Sequence, residues 1–206
     1  MDTKVSSTSR RGFLKGMAVG AGGYALGSLL IHPKEAMGQS IEGNLEKVPV
    51  EARWDIAAGT VIFWSVSYFK EIYDTRGREQ YLEHWKKTSP IVAARGKGNA
   101  ERLGLTGSDA KSAVEIIPAF LTIVYGPKQK YETIEATAEK ARLKCINCQL
   151  WNHVQAQKIT DDLCSVHSQY WWDGFVKAMN PKMTSNLVKA RPRGDSVCEW
   201  VVELKT

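Results

Sequence analysis

Residues 185–204 read SNLVKARPRGDSVCEWVVEL. Two short β-prone runs, 185–190 and 196–204, flank Arg191-Pro192-Arg193-Gly194-Asp195, and proline and glycine inside a polar break are the signature of a hairpin. In the second run Cys198, Trp200, Val202 and Leu204 alternate with Val197, Glu199, Val201 and Glu203, which predicts a strand with one apolar face. Just upstream, Thr160-Asp161-Asp162 opens a predicted helix that runs to about Met179 and stops at Asn180-Pro181. Residues 131–145 read either way, because Glu135–Ala141 has helical composition but alternates over short spans.

The first half has a different period. Pro49 suits a first helical position. From there Trp54, Ala57, Val61, Trp64, Tyr68 and Ile72 recur every three or four residues, an apolar stripe on one long helix. Residues 76–87 continue in helical composition, and Ser89-Pro90 is expected to cap and open another helix toward Leu103. After a break at Gly104–Gly107, Thr106 or Ser108 is expected to cap a helix that Pro118 kinks or ends, and Gly126-Pro127 closes this half. Helices first, then a sheet containing a helix, predicts an α+β fold: a helical N-terminal half packed on a C-terminal antiparallel sheet. There is no internal repeat.

The N-terminus carries Ser9-Arg10-Arg11-Gly12-Phe13-Leu14-Lys15, which resembles the twin-arginine export consensus. A Gly/Ala-rich apolar run follows to Ile31, and Ala36-Met37-Gly38 has the small residues that suit a signal peptidase. Cleavage is expected after Gly38, with the mature bacterial protein in the periplasm. The apolar run, 16–31, is short against the ~20 residues needed to span a bilayer, so membrane contact is expected only if the signal stays as an anchor. The expected organisation is a signal at 1–38, a polar leader at 39–48 and a single domain at 49–206. The signal holds five basic and two acidic residues, so its removal lowers the net charge from +6 to +3. That charge is mild and interspersed, and argues against a nucleic-acid partner.

All four cysteines, Cys145, Cys148, Cys164 and Cys198, lie in the last third, with His153 and His167 among them. Three chemistries fit. An exported protein with an even number of cysteines can hold disulfides, and Cys198 also fits as a plain core residue. Alternatively, Cys145-x-x-Cys148 and Cys164-x-x-His167, fifteen residues apart, have the pairing of a zinc or iron–sulfur site. Gln149 in place of a histidine after Cys148 gives no support to covalent c-type haem. In the third, Cys164 and His167 share a helix face with Trp171 and Phe175, where an imidazole can act as base to a nucleophilic thiol. His84 and His153 have no such neighbour in sequence and read as surface or structural. Tyr170, Trp171, Trp172, Phe175 and Trp200 can form core or line a pocket, and Lys189, Arg191 and Arg193 can hold a carboxylate or simply be solvated.

Taken in order, the cysteine pair, Leu163-Cys164-x-x-His167, the aromatic helix ending Asn180-Pro181, and Gly194-Asp195-x-x-Cys198-Glu199-Trp200 resemble the L-2-amino-thiazoline-4-carboxylic acid hydrolase family. The resemblance covers the last third of the chain. It implies hydrolysis of a carbon–nitrogen bond in a small cyclic amidine or amide, with Cys164 attacking and His167 moving the proton. The other expectation is a non-catalytic accessory subunit of an exported redox complex, with Cys145, Cys148, Cys164 and His167 holding a metal and a redox protein as partner.

Overall fold

Helix α1 (Val50–Arg102) is two helical arms that meet at Gly77, where φ 75° and ψ 171° describe a conformation open essentially to glycine alone. A straight helix would separate Phe69 from Trp85 by about 24 Å. Their rings lie 4.7 Å apart, and those of Tyr73 and Tyr81 5.6 Å apart. Both pairs are equidistant in sequence from Gly77, so the arms fold back on one another. The computed structural model describes residues 45–205. The twin-arginine stretch with Arg10 and Arg11, the cleavage point after Gly38 and most of the polar leader lie outside the described residues. From Val50 onward the chain forms one compact unit. Among the described residues no helix is long and apolar enough to cross a membrane.

Several local expectations change. The first arm buries Ala58, Ile62, Val66, Phe69 and Ile72. Of the stripe expected from sequence only Ile72 is buried, while Val61, Trp64 and Tyr68 are half or more exposed. The arm is apolar around much of its girth, so periodicity finds the helix but picks a stripe about one residue out of phase. The second arm runs straight through Ser89-Pro90. Helix α2 (Ala110–Tyr125) is capped by Asp109, whose carboxylate accepts from Ser112 N–H at 2.7 Å in a reciprocal capping box. It continues past Pro118 to Gly126.

The ambiguous stretch is a β-hairpin, β1 (Lys130–Ala136) and β2 (Lys140–Asn147). Helix α3 (Gln149–Ala156) follows, then α4 (Leu163–Met179), β3 (Met183–Lys189) and β4 (Cys198–Leu204). The sheet order is β1-β2-β4-β3, every pair antiparallel. The fold is therefore α+β, with the helices packed on a C-terminal antiparallel sheet. Cys198, Trp200 and Val202 point into the core, and register sets Leu143 opposite Trp200 and Cys145 opposite Cys198. On the other face Glu199 lies between Arg142 and Lys189 and is only 2% exposed.

The second arm meets α4 through small residues. Ser89, Ala93, Gly96 and Ala100, spaced four, three and four, are all buried. Gly174 on α4 faces them, and a Cβ there would stand 2.7 Å from the Pro90 Cα and 3.2 Å from the Ala93 Cβ. Backbone cannot swing aside as a side chain can. Gly174→Ala is expected to lower stability by about 1–3 kcal/mol despite alanine's better helix propensity, measured by urea unfolding. A stabilised variant would mean that the two helices do not cross at this point.

Candidate functional site

The buried residues form two clusters. One joins α2, α4 and the sheet; the other joins the arms of α1 to α3 and the start of α4. Tyr125 and Cys148 lie against both. Between them lies a small chamber of about 30 Å³ lined by Leu121, Tyr125, Gln129, Tyr131, Cys145, Cys148, Leu150, His167, Ser168, Trp171, Trp172 and Trp200.

His167 is the polar centre of the region. Its ring stacks on Trp85, with centroids 4.6 Å apart and planes 23° apart, and leans on Phe69 at 4.8 Å. Nδ1 is sealed from solvent and has no hydrogen-bond partner. Burial, with a smaller push from His84, lowers its pKa from 6.5 to about 3, so the imidazole is neutral. Trp200 Nε1, in the wall of the same chamber, is likewise buried and unpartnered. Tyr125 and His167 also line two more open pockets toward α1, one of them including His84 and Trp85. His84 thus belongs to the site region, stacked edge-on to Trp85 at 4.8 Å, although its sequence neighbourhood gave no sign of it.

Gln129 organises the opposite wall. It is 4% exposed, and its Nε2 donates to Tyr131 Oη at 2.8 Å and to Cys145 Sγ at 3.3 Å. Its Oε1 accepts from Gln149 N–H at 2.8 Å, which fixes the first turn of α3. A lone glutamine after Gly126-Pro127 carries no motif, and sequence reasoning passed over it. Burial pushes the phenols of Tyr125 and Tyr131 above their usual range, so both stay protonated.

All four cysteines are free thiols. Cys148 is the N-cap of α3, and its sulfur accepts from Trp151 N–H at 3.4 Å. A hydrogen bond from the Cys145 thiol, backed by the Trp151 N–H and the Arg191 guanidinium, lowers its pKa from 9.0 to about 7 despite burial. Cys145 is raised by the same bond and by burial. Burial raises Cys164, and it pushes Cys198 up to about 11. Cys148 is therefore expected to alkylate first, with a rate that rises through pH 7. Cys145→Ala should move that midpoint upward by removing the donor, as iodoacetamide labelling with peptide mapping would show; labelling of Cys164 first would contradict this wall.

The expected pairings separate. No hydrogen bond joins Cys164 to His167: Nδ1 of His167 is unpartnered, and the Cys164 thiol is raised rather than activated. Local spacing suggested that pair, but His167 turns to Trp85 and Phe69 on α1 instead. The set Cys145, Cys148, Cys164 and His167 does not assemble around one point: among the described residues no group of three or more His, Cys, Asp or Glu side chains is placed to hold a metal ion. His167 does share the chamber with Cys145 and Cys148. The basic trio is engaged internally. Lys189 pairs with Glu199, Arg191 Nη2 donates to the Ile146 carbonyl at 2.6 Å, and Arg193 bonds Asp162 at 3.0 Å.

The chain matches no protein-family model and no curated protein. Its fold is similar to that of several solved structures, among them the following two. One is the phenol-responsive sensory domain of the transcription activator PoxR, solved with phenol, at TM-score 0.53 and 12% identity, covering 69% of this chain and 74% of that one. The other is a trafficking protein particle complex subunit 3 from Naegleria fowleri, covalently bound to palmitic acid, at TM-score 0.55 and 13% identity, covering 73% of this chain and 96% of that one. At such identities the likeness is one of fold alone.

Proposed function

We propose that this domain binds a small, uncharged aromatic compound carrying a hydroxyl group, with that hydroxyl in the chamber walled by His167 and Trp200. One observation carries the reading: a largely aromatic chamber holds two sealed polar atoms, Trp200 Nε1 and His167 Nδ1, that no protein group satisfies. Buried polar atoms are nearly always paired, and an orphan costs about 1–3 kcal/mol. A hydroxyl answers both, accepting from the indole N–H and donating to a neutral imidazole nitrogen. The chamber has room for the hydroxyl alone, and the ring is placed in the adjoining pockets of about 260 and 350 Å³ toward α1 that Tyr125 and His167 also line. A neutral His167 and the engagement of Arg191 with backbone carbonyls favour the protonated hydroxyl over a phenolate. Both structures of similar fold hold a largely apolar guest, phenol in one and palmitic acid in the other. Export behind Arg10-Arg11 is part of the proposal and would make the domain a periplasmic binding module.

Titration of phenol and of toluene, followed by quenching of the tryptophans in the wall, tests it. Toluene fills the same space but leaves both atoms unpaired, so it is expected to bind about 10–100-fold more weakly. Equal affinities, or no phenol binding at millimolar concentration, would sink the proposal.

A second reading keeps the hydrolase chemistry, and the Cys148 thiol favours it. That thiol faces the chamber with a pKa of about 7, so a sizeable fraction is nucleophilic at neutral pH. Turnover of a cyclic amidine that is lost in Cys148→Ser would support it. Loss only in Cys164→Ser would return the nucleophile to Cys164.

A further inference from the structure

We propose that Cys145 and Cys148 are a thiol–disulfide exchange pair, with Cys148 the attacking sulfur and Cys145 the resolving one. The geometry divides the roles. Cys148 is the most exposed of the four cysteines, whereas Cys145 has no exposed surface. An incoming disulfide therefore meets Cys148 before the others. Its sulfur caps α3 and receives the Trp151 N–H and the Cys145 thiol hydrogen, donors that support a thiolate. Cys145 sits three residues back near the end of β2 and shares the chamber wall with Cys148. The backbone around it is pinned. Arg191 Nη2 donates to the carbonyls of Cys145 and Ile146, and Gln129 Nε2 donates to Cys145 Sγ. Cys198, across the ladder from Cys145, is buried and takes the Arg191 N–H on its sulfur at 3.5 Å. An external disulfide therefore meets it after Cys148. The proposal stands independently of the chamber's ligand.

The reaction needs a disulfide R–S–S–R, of low molecular weight or on a protein. The Cys148 thiolate attacks one sulfur, the R–S–S–R bond breaks, and the first R–S⁻ leaves and takes up a proton. Cys145 then attacks the Cys148 sulfur of the mixed disulfide, and the second R–S⁻ departs with the proton that Cys145 gives up. The two cysteines lose two electrons and two protons, and two R–SH carry them away.

The test equilibrates the full chain in a series of reduced and oxidised glutathione ratios, then acid-quenches, unfolds, alkylates and maps it. Cys145 and Cys148 fall in one tryptic peptide, 145–158, so their bridge reads as an internal loss of two hydrogens. The expected result is a reversible transition of that peptide over the series, with Cys164 and Cys198 alkylated throughout. In Cys145→Ser, glutathione should remain trapped on Cys148; in Cys148→Ser, no adduct should form on Cys145. A 145–158 peptide fully alkylated at every ratio, or a bridge that engages Cys164 or Cys198 instead, overturns the proposal. The wild-type map decides this even if a variant fails to fold.

Discussion

Replacing Trp172 with alanine is expected to cost about 3–5 kcal/mol, a large share of the ~5–15 kcal/mol that holds a domain together. Trp172 is 2% exposed and stands between α4 and the sheet. Its ring stacks on Trp200 with centroids 4.8 Å apart and planes 20° apart, and Tyr131 leans on it at 6.4 Å. Removal forfeits the buried area and leaves a void that these large rings cannot all close. Urea unfolding followed by far-UV circular dichroism should show a lower midpoint at nearly unchanged slope. Trp200→Phe is the informative partner. It keeps most of the stack but deletes an indole N–H that has nothing to donate to. The unliganded domain should then lie within about 1 kcal/mol of wild type, while affinity for a hydroxylated aromatic falls. If Trp200→Phe costs as much as Trp172→Ala, that N–H is satisfied within the protein and the argument for a hydroxyl ligand fails.

These residues also show what the sequence carries and what it leaves out. The β3–β4 hairpin was legible because its evidence is local: alternation on Cys198, Trp200 and Val202, and turn chemistry at Pro192 and Gly194. Helix α4 was legible for the same reason, from the aspartates before it to Asn180-Pro181 after it. Residues 131–145 were not, since their helical composition yields to pairing with β4, which only the folded sheet supplies. The turn at Gly77 has no flanking signal, whereas Pro90 looked like a break and is absorbed where Gly174 gives it room. The site divides along the same line. His167, Cys145 and Cys148 were singled out from spacing, and the chamber holds all three. The partner that spacing assigned to His167 was Cys164, one turn away, but its contacts are Trp85 and Phe69, roughly 80 to 100 residues back on α1. Gln129 and Tyr125 matter through tertiary position alone.

Acid should expose the character of His167 directly. The folded chain protonates this ring only near pH 3, against 6.5 for an ordinary histidine, because burial disfavours the charged form. Between those values the unfolded chain binds a proton that the folded chain refuses, so stability falls as pH is lowered from 6.5 toward 3. The slope is at most about 1.4 kcal/mol per pH unit for a single group. His84 is depressed as well, by burial and by Arg76, and adds a smaller slope of the same sign. Asp109 and Glu199 are held below their usual values of 3.8 and 4.5 by Ser112 and by Arg142, so their contributions are lost only in stronger acid. The window from pH 6 to 5 therefore isolates the histidines, because the Cys148 thiol, lowered to about 7, is almost wholly protonated there. His167→Phe keeps an aromatic ring against Trp85 but has no proton to refuse. Its unfolding free energy should be much flatter across that window, leaving the part due to His84. Affinity of wild type for a hydroxylated aromatic should stay constant over the same range, because the nitrogen that accepts its proton remains neutral. A wild-type slope that survives in His167→Phe would place the refused proton elsewhere. An affinity that collapses between pH 6 and 5 while the domain stays folded would mean that His167 is reached by water and titrates as an ordinary surface histidine.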